Sequence, residues 1–304
     1  MERKPWLTWA AAAVCIVVYA GAGLRGEAPS WDTLAMWGAP PPQAIWGGAY
    51  WALITSVFVH LALWHLAFNL YWLWILGRTL ERSIGSLRWL GLFLGAAIVS
   101  SGVELGASGS TGIGLSGVIY AIFGFMWVAK RSYPAFSRVV TRQTVWLFIG
   151  WLIGCVLATV LRVWNVGNAA HISGLALGLT TGAAFVRRPD SAGPKTAVAL
   201  LLVGSVVPLF WCPWSFQWVA AKGYEAHERG DYRSAVVWYL RSQRFNQEPV
   251  WVLQNLAFAY HSLGNTTSFA ATMEKLRRLK PDAASAVERD IEAPPATVTP
   301  SGAK

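Results

Sequence analysis

The sequence predicts an all-α protein: a polytopic bundle of membrane helices followed by a small α-helical repeat domain. The chain of 304 residues is 55% hydrophobic and 13% charged, whereas soluble domains contain about 25% charged residues. Its 19 tryptophans are typical of the aromatic belts that membrane proteins place at the lipid–water interface. Long apolar runs fill the first two thirds of the chain, and charged amphipathic helix follows from Gln217.

Seven apolar runs are predicted to be membrane spans. They cover approximately residues 6–24, 51–77, 87–105, 115–129, 144–164, 168–186 and 196–214. A span needs about 20 apolar residues to cross a hydrocarbon core of about 30 Å, so the fourth run is short. The first run follows Met1-Glu2-Arg3-Lys4 and resembles a signal peptide. The six further runs and the lack of a clean cleavage site favour a retained helix.

Basic residues predict the orientation of these spans. With the N-terminus in the cytoplasm, twelve of them fall on the inner side: Arg3, Lys4, Arg78, Arg82, Arg88, Lys130, Arg131, Arg138, Arg142, Arg187, Arg188 and Lys195. The outer side receives only Arg25 and Arg162. Because Lys and Arg concentrate in cytoplasmic loops, the N-terminus is expected in the cytoplasm and the repeats outside it.

Charge and cysteine patterns exclude other classes of protein. The net charge is +10, but the basic residues of the first two thirds form small clusters between apolar runs, so no nucleic-acid partner is expected. Cys15, Cys155 and Cys212 lie in separate apolar runs without metal-ligand spacing. The expected partner is the lipid bilayer, and neither a metal nor a cofactor is expected.

The loop between the first two runs is rich in proline and tryptophan. It contains Trp31, Trp37, Pro40-Pro41-Pro42 and Trp46. This composition suits a segment lying in the outer membrane interface. An ordinary connecting loop has a similar composition, and the sequence leaves both interpretations open.

The C-terminal third predicts helical repeats. Gly230 and Gly264 are 34 residues apart, which is the period of tetratricopeptide repeats. Two units are few for a continuous core, so they are expected to lean on a capping helix at 283–291 or on the membrane domain. The predicted domains are a six-helix core at 1–190, a seventh span at 191–216, repeats at 217–292 and a disordered tail at 293–304.

Two short segments carry candidate chemistry inside the predicted membrane core. They are Gly114-Leu115-Ser116-Gly117 and Ala170-His171-Ile172-Ser173-Gly174, and each opens an apolar run. Serine and histidine act as nucleophile and base in hydrolysis. An ionisable residue within a membrane is costly, so it predicts a functional site.

Counting residues from the inner basic clusters places three polar side chains at one depth. Ser116 lies 14 residues from its cluster and His171 lies 16, which corresponds to about 21 and 24 Å above the inner boundary. The same count gives about 20 Å for His65 and about 27 Å for His60. Ser116, His171 and His65 are therefore expected about 6–10 Å below the outer surface.

The irregular segment before Ser116, residues 106–114, is expected to dip into the membrane beside a water-filled pocket. Irregular backbone at that depth is tolerated only where protein buries it or where it lines a wet cavity. Close packing of the fourth and sixth spans would join the two segments through small residues that let helix backbones approach. These residues are Gly117, Ala121 and Gly124 on the fourth span and Gly174, Gly178 and Gly182 on the sixth.

Chemistry assigns a role to each candidate. Ser116 is the expected nucleophile and His171 the expected base, which later protonates the leaving amine. Glu104 lies near the outer end of the third span and no catalytic role is expected for it, so a dyad is favoured over a triad. Oxyanion donors are expected from the Ser116 backbone N–H, His65 and Asn69.

Five neighbours complete the expected site. Leu115 is grouped with His65 and Asn69 as an oxyanion or substrate-binding residue. His60, Gly114 and Gly117 are expected to support the site. Tyr120, one turn after Ser116, is expected to pack against the His171 ring and fix its orientation.

These motifs resemble those of the rhomboid family of intramembrane serine proteases. The matching residues are His60-x4-His65-x3-Asn69, Gly114-x-Ser116-Gly117 with Tyr120, and Ala170-His171-x2-Gly174-x3-Gly178. The resemblance covers about residues 5–188 and implies a six-helix core, a Ser116/His171 dyad and an oxyanion site at His65 and Asn69. The seventh span with outward-facing repeats resembles a bacterial subgroup of the family, which implies a bacterial plasma membrane.

The resemblance also implies the substrates. They would be single-pass membrane proteins, cut near the outer boundary of their helix, while the repeats offer a surface for a protein partner. One departure concerns Trp51-Ala52, where many members have Trp-Arg. That arginine is expected to brace the interfacial loop, so the dyad is unaffected.

Two alternatives compete with a protease. A catalytically silent relative would bind membrane clients and hand them on, but Ser116 and His171 are both present. A transporter would use the polar cluster as a substrate site. Inverted-repeat transporters often have two similar halves, but the second half of this chain does not resemble the first.

Overall fold

A computed structural model describes residues 3–22, 30–186, 192–247 and 249–292, and this part of the chain is helical without strands. The predicted all-α polytopic bundle is confirmed. Two compact units divide between Ser215 and Phe216, one residue before the boundary expected from sequence. The tail expected to be disordered, 293–304, lies outside the described residues.

Twelve α-helices make up the described part of the first unit. They are α1 (Trp6–Ala22), α2 (Trp31–Met36), α3 (Pro42–Trp46), α4 (Ala52–Thr55), α5 (Leu63–Trp72), α6 (Arg78–Ile84), α7 (Ser86–Ser108), α8 (Ser116–Ala129), α9 (Pro134–Val139), α10 (Arg142–Val160), α11 (Asn168–Val186) and α12 (Ala192–Phe210). The loop rich in proline and tryptophan thus contains α2 and α3, in which Trp31 is exposed and Trp46 is buried.

Four of these helices, α7, α10, α11 and α12, are long and apolar enough to cross a membrane. A bent pair, Ala52–Phe58 with Leu63–Ile84, would be a fifth span if counted as one. The apolar helices α1 and α8 are shorter, at 17 and 14 residues. Seven spans would require both short helices and the bent pair to cross, so that number stays a prediction.

The second apolar run is broken, which corrects the expected continuous helix at 51–77. A 3₁₀ turn at Ser56–Phe58 and a non-helical segment lead into α5, and the two parts meet at 102°. His60 lies in this break, where its Nδ1 is 3.1 Å from the carbonyl oxygen of Phe58. The backbone N–H of Leu115 donates to its Nε2 at 3.5 Å. The depth counted along a continuous helix therefore does not apply to His60.

The third run is longer than expected, because α7 continues to Ser108. Gly106–Ser108 is therefore helical, and the irregular segment begins at Gly109. Gly109 ends the helix with a left-handed φ of 78°, a conformation that glycine adopts without steric cost. Gly106 packs closely against α12, since a Cβ there would lie 2.8 Å from Cγ of Pro208.

The helices α8 and α11 pack more extensively on each other than any other pair. A Cβ at Gly174 would lie 2.2 Å from the carbonyl oxygen of Gly117, and a Cβ at Gly178 would lie 2.0 Å from that of Ala121. A Cβ at Gly182 would lie 2.7 Å from the carbonyl oxygen of Phe125. The backbones thus touch along a glycine face, as small-residue packing in membranes allows.

The seventh apolar helix, α12, packs against α7. A Cβ at Gly102 would lie 2.1 Å from the carbonyl oxygen of Ser205. The indole of Trp46 donates from Nε1 to the Pro208 carbonyl at 3.0 Å. The short helix α3 is thereby joined to α12.

The second unit contains α13 (Phe216–Glu228), α14 (Tyr232–Ser242), α15 (Val250–Ser262), α16 (Thr266–Leu279) and α17 (Pro281–Glu292). Its connecting turns recur with the 34-residue period. Gly230 and Gly264 both have left-handed φ angles, 73° and 68°. Asp231 and Asn265 each cap the next helix by accepting a backbone N–H three residues later, at 3.1 Å. The assignment to tetratricopeptide repeats stays a prediction.

His227 packs within this second unit. Its ring lies 5.2 Å from the ring of Tyr232 and 6.4 Å from that of Tyr239. Burial lowers the pKa of His227.

Candidate active site

Ser116 begins α8, directly after the irregular segment Gly109–Leu115. Its Oγ lies 2.7 Å from Nε2 of His171. This distance lies within the usual range for a hydrogen bond between a hydroxyl group and a ring nitrogen. The two segments singled out in the sequence therefore meet, although 55 residues separate the side chains.

His171 lies in the first turn of α11 and is 5% exposed. The ring of Tyr120 packs on it, with centroids 4.9 Å apart and planes inclined by 33°. Tyr120 is fixed in turn, since its hydroxyl donates to the Phe148 carbonyl at 2.9 Å. Within the described residues Nδ1 of His171 is buried and has no hydrogen-bond partner. Packing, rather than a third acid, holds this ring.

Gly114 is required at the turn before Ser116. Its φ is +100°, and a Cβ there would lie 2.5 Å from Cε1 of His65. Both the backbone conformation and the neighbouring ring exclude a side chain at this position. The His65 ring is also 4.9 Å from the His60 ring. The loop before the serine thus lies against a pair of histidines.

The other expected oxyanion residues differ in their placement. Asn69 is 1% exposed, and its Nδ2 donates to the backbone oxygen of His65 at 2.9 Å. His65, Asn69 and Ser116 all line one cavity. Leu115 is completely buried, and its N–H points at His60. The oxyanion or substrate-binding role expected for Leu115 stays a prediction.

The cavity at the dyad has a volume of about 420 Å³. Its polar lining includes Ser100, Ser101, Glu104, Ser108, Ser110, Thr111 and Asn165, besides the dyad. Two aromatic pairs on its wall connect α5 with α10 and with the loop after α10. The rings of Trp64 and Trp164 stack at 4.9 Å, and those of Phe68 and Trp151 lie 5.3 Å apart. Among the described residues, no group of three His, Cys, Asp or Glu side chains is placed to hold a metal.

Two carboxylates to which the sequence assigned no role are buried. Glu104 is 5% exposed, and its Oε2 accepts the N–H of Ala170 at 2.9 Å, beside His171. Glu81 is 1% exposed and accepts hydrogen bonds from Thr8 and Ser86. The cost of placing a carboxylate in an apolar helix is a sequence signal for Glu104 in α7, but it does not apply to Glu81, whose helix α6 is polar.

Comparison with known proteins finds similarity over the same region of the chain. A rhomboid domain matches residues 47–188. Three similar proteins are each named Rhomboid protease GlpG. The one from Salmonella typhi is 32% identical over 186 residues, covering 59% of this chain and 62% of the relative. Those from Salmonella choleraesuis (strain SC-B67) and Salmonella paratyphi A (strain ATCC 9150 / SARB42) are 31% identical over 186 and 184 residues, with the same coverage.

The chain thus covers less than two thirds of the length of these relatives. The matched domain and the apolar helices identify an integral membrane protein. The matched residues, 47–188, include Ser116, His171 and the cavity beside them, so the part of the chain that carries the candidate site is similar to a rhomboid domain.

Proposed function

We propose that this protein is an intramembrane serine endopeptidase that cleaves the membrane helices of other proteins near the outer membrane boundary. The observation that carries this proposal is the 2.7 Å contact between Ser116 Oγ and His171 Nε2, beside a cavity of about 420 Å³. The relatives named as rhomboid proteases support the same activity.

The proposed reaction follows the chemistry of acyl transfer. Ser116 gives its hydroxyl proton to Nε2 of His171 as Oγ attacks the scissile carbonyl carbon, and a tetrahedral oxyanion forms. The Ser116 N–H, His65 and Asn69 are the proposed donors to that oxyanion; in subtilisin the loss of one such donor costs about 2.7–4 kcal/mol. His171 then protonates the leaving amine, and water attacks the acyl-enzyme with His171 again acting as the base.

The substrate is proposed to be a single-pass membrane protein. A peptide bond inside a helix is shielded, so the substrate must unwind before it enters the cavity. Helix-breaking residues and small side chains near the cut favour this step. The aromatic pairs Trp64–Trp164 and Phe68–Trp151 lie along the cavity wall and are the proposed entry side.

We place the protein in a bacterial plasma membrane with its N-terminus in the cytoplasm and its repeats outside, where they offer a surface for a protein partner. The charge bias of the loops supports this orientation. In intact cells, a membrane-impermeant thiol reagent should label Ser262→Cys in the second unit. The matched variant Ser132→Cys, between α8 and α9, should react only after permeabilisation. All three native cysteines are buried, so they give little background. The opposite pattern would reverse the orientation.

Labelling by a serine-directed fluorophosphonate tests the proposed activity. In detergent, the parent protein should be labelled, and peptide mapping should locate the label on Ser116. His171→Ala should react far more slowly, because Ser116 then lacks its base. A folded parent protein that takes no label and cleaves no membrane-anchored substrate would instead support a silent client-binding adaptor.

A further inference from the structure

A buried carboxylate lies beside the dyad without belonging to it. Glu104, in the last turns of α7, lines the cavity and is 5% exposed. Its Oε2 accepts the backbone N–H of Ala170 at 2.9 Å. Ala170 is the third residue of α11, where backbone N–H groups have no acceptor within their own helix. Glu104 therefore caps α11 from a different helix, at the residue before His171.

The same side chain also contacts the segment that leads to the nucleophile. A Cβ at Gly112 would lie 3.4 Å from Cγ of Glu104, and a Cβ at Gly167 would lie 3.4 Å from its Oε2. Gly112 lies four residues before Ser116, and Gly167 lies four residues before His171. The Glu104 side chain thus lies close to both segments that deliver the members of the dyad.

We propose that Glu104 is a positioning residue that holds His171 in line with Ser116; this inference rests on the proposed function. An oxygen that accepts a free N–H in the first turn of a helix fixes that turn, as an N-cap side chain does. Fixing the first turn of α11 fixes the backbone that carries the His171 ring. Displacement of a catalytic group by about 1 Å is enough to lower a rate about 100-fold.

Glu104 does not act as a third catalytic acid. Among the described residues, Nδ1 of His171 has no hydrogen-bond partner, and the Glu104 hydrogen bond goes to the backbone of Ala170. Its role parallels that of His60, which accepts the N–H of Leu115 on the nucleophile side. Each side of the dyad thus has one backbone brace.

Two substitutions at Glu104 separate positioning from general packing. Glu104→Gln keeps an oxygen that accepts the Ala170 N–H, whereas Glu104→Leu keeps the approximate size of the side chain without any acceptor. We expect Glu104→Gln to retain kcat within about threefold. We expect Glu104→Leu to lower kcat about 10- to 100-fold with little change in KM and a parallel loss in the rate of fluorophosphonate labelling.

The measurements are kcat and KM on a membrane-anchored substrate, the labelling rate at Ser116, and the unfolding temperature in detergent. If Glu104→Leu does not fold, Glu104→Ala replaces it in the same comparison. A leucine or alanine variant with parental kcat would overturn the inference, and so would a glutamine variant as impaired as either. Both results require an active parent protein. A parent that is never labelled at Ser116 overturns the proposed function instead.

Discussion

Replacing Ser116 with alanine is expected to abolish proteolysis and leave the fold intact. The substitution removes only Oγ, the atom that lies 2.7 Å from His171. The helix that begins at Ser116 keeps its backbone and its packing on α11, so the unfolding temperature should stay close to the parental value. In subtilisin, loss of the nucleophile costs about 2 × 10⁶ in kcat, and an effect of that order is expected here.

Cleavage of a membrane-anchored substrate, followed by the release of its fragment, measures this effect. Ser173→Ala is the matched control because it truncates another buried serine, two residues after His171, whose Oγ donates to the Ala170 carbonyl. This control should cleave at a rate near that of the parent. If Ser116→Ala cleaves as fast as the parent, Ser116 is not the nucleophile.

Gly178→Leu is expected to prevent the membrane bundle from assembling. A Cβ at residue 178 would lie 2.0 Å from the carbonyl oxygen of Ala121, which is backbone and cannot move aside by rotating. Relief requires α11 to move away from α8, and that movement also separates His171 from Ser116. Overpacking typically costs about 1–3 kcal/mol, and a backbone clash at this distance should cost more.

The unfolding temperature in detergent and the yield of monodisperse protein measure the loss. Gly154→Leu on α10 serves as the matched control, because a Cβ at Gly154 meets nothing within 4 Å. It should fold and cleave as the parent does. A Gly178→Leu protein with parental stability and activity would mean that the α8–α11 contact is looser than described.

The bounds of a helix were most predictable where hydropathy alone defines it. The sixth run was expected at 168–186, and α11 has those bounds. The break in the second run could not be foreseen, because no proline or glycine lies between Phe58 and Leu63. The hydrogen bond that His60 makes with Leu115 is tertiary, so it leaves no pattern in the local sequence.

The candidate site likewise contains residues that the sequence could predict and one whose role it could not. The sequence was sufficient to nominate Ser116 and His171, because a hydroxyl and an imidazole in apolar runs are costly and therefore conspicuous. It gave Glu104 no role, since that role depends on where the end of α7 meets the start of α11. Only the three-dimensional packing brings the carboxylate to the Ala170 amide.

The turn at Gly114 has a genetic consequence. With φ at +100° and an imidazole 2.5 Å from where a methyl group would begin, no other amino acid fits this position without displacing His65. Every missense change in that codon should therefore impair the proposed activity. A saturation-mutagenesis library selected for proteolysis should recover only synonymous codons there.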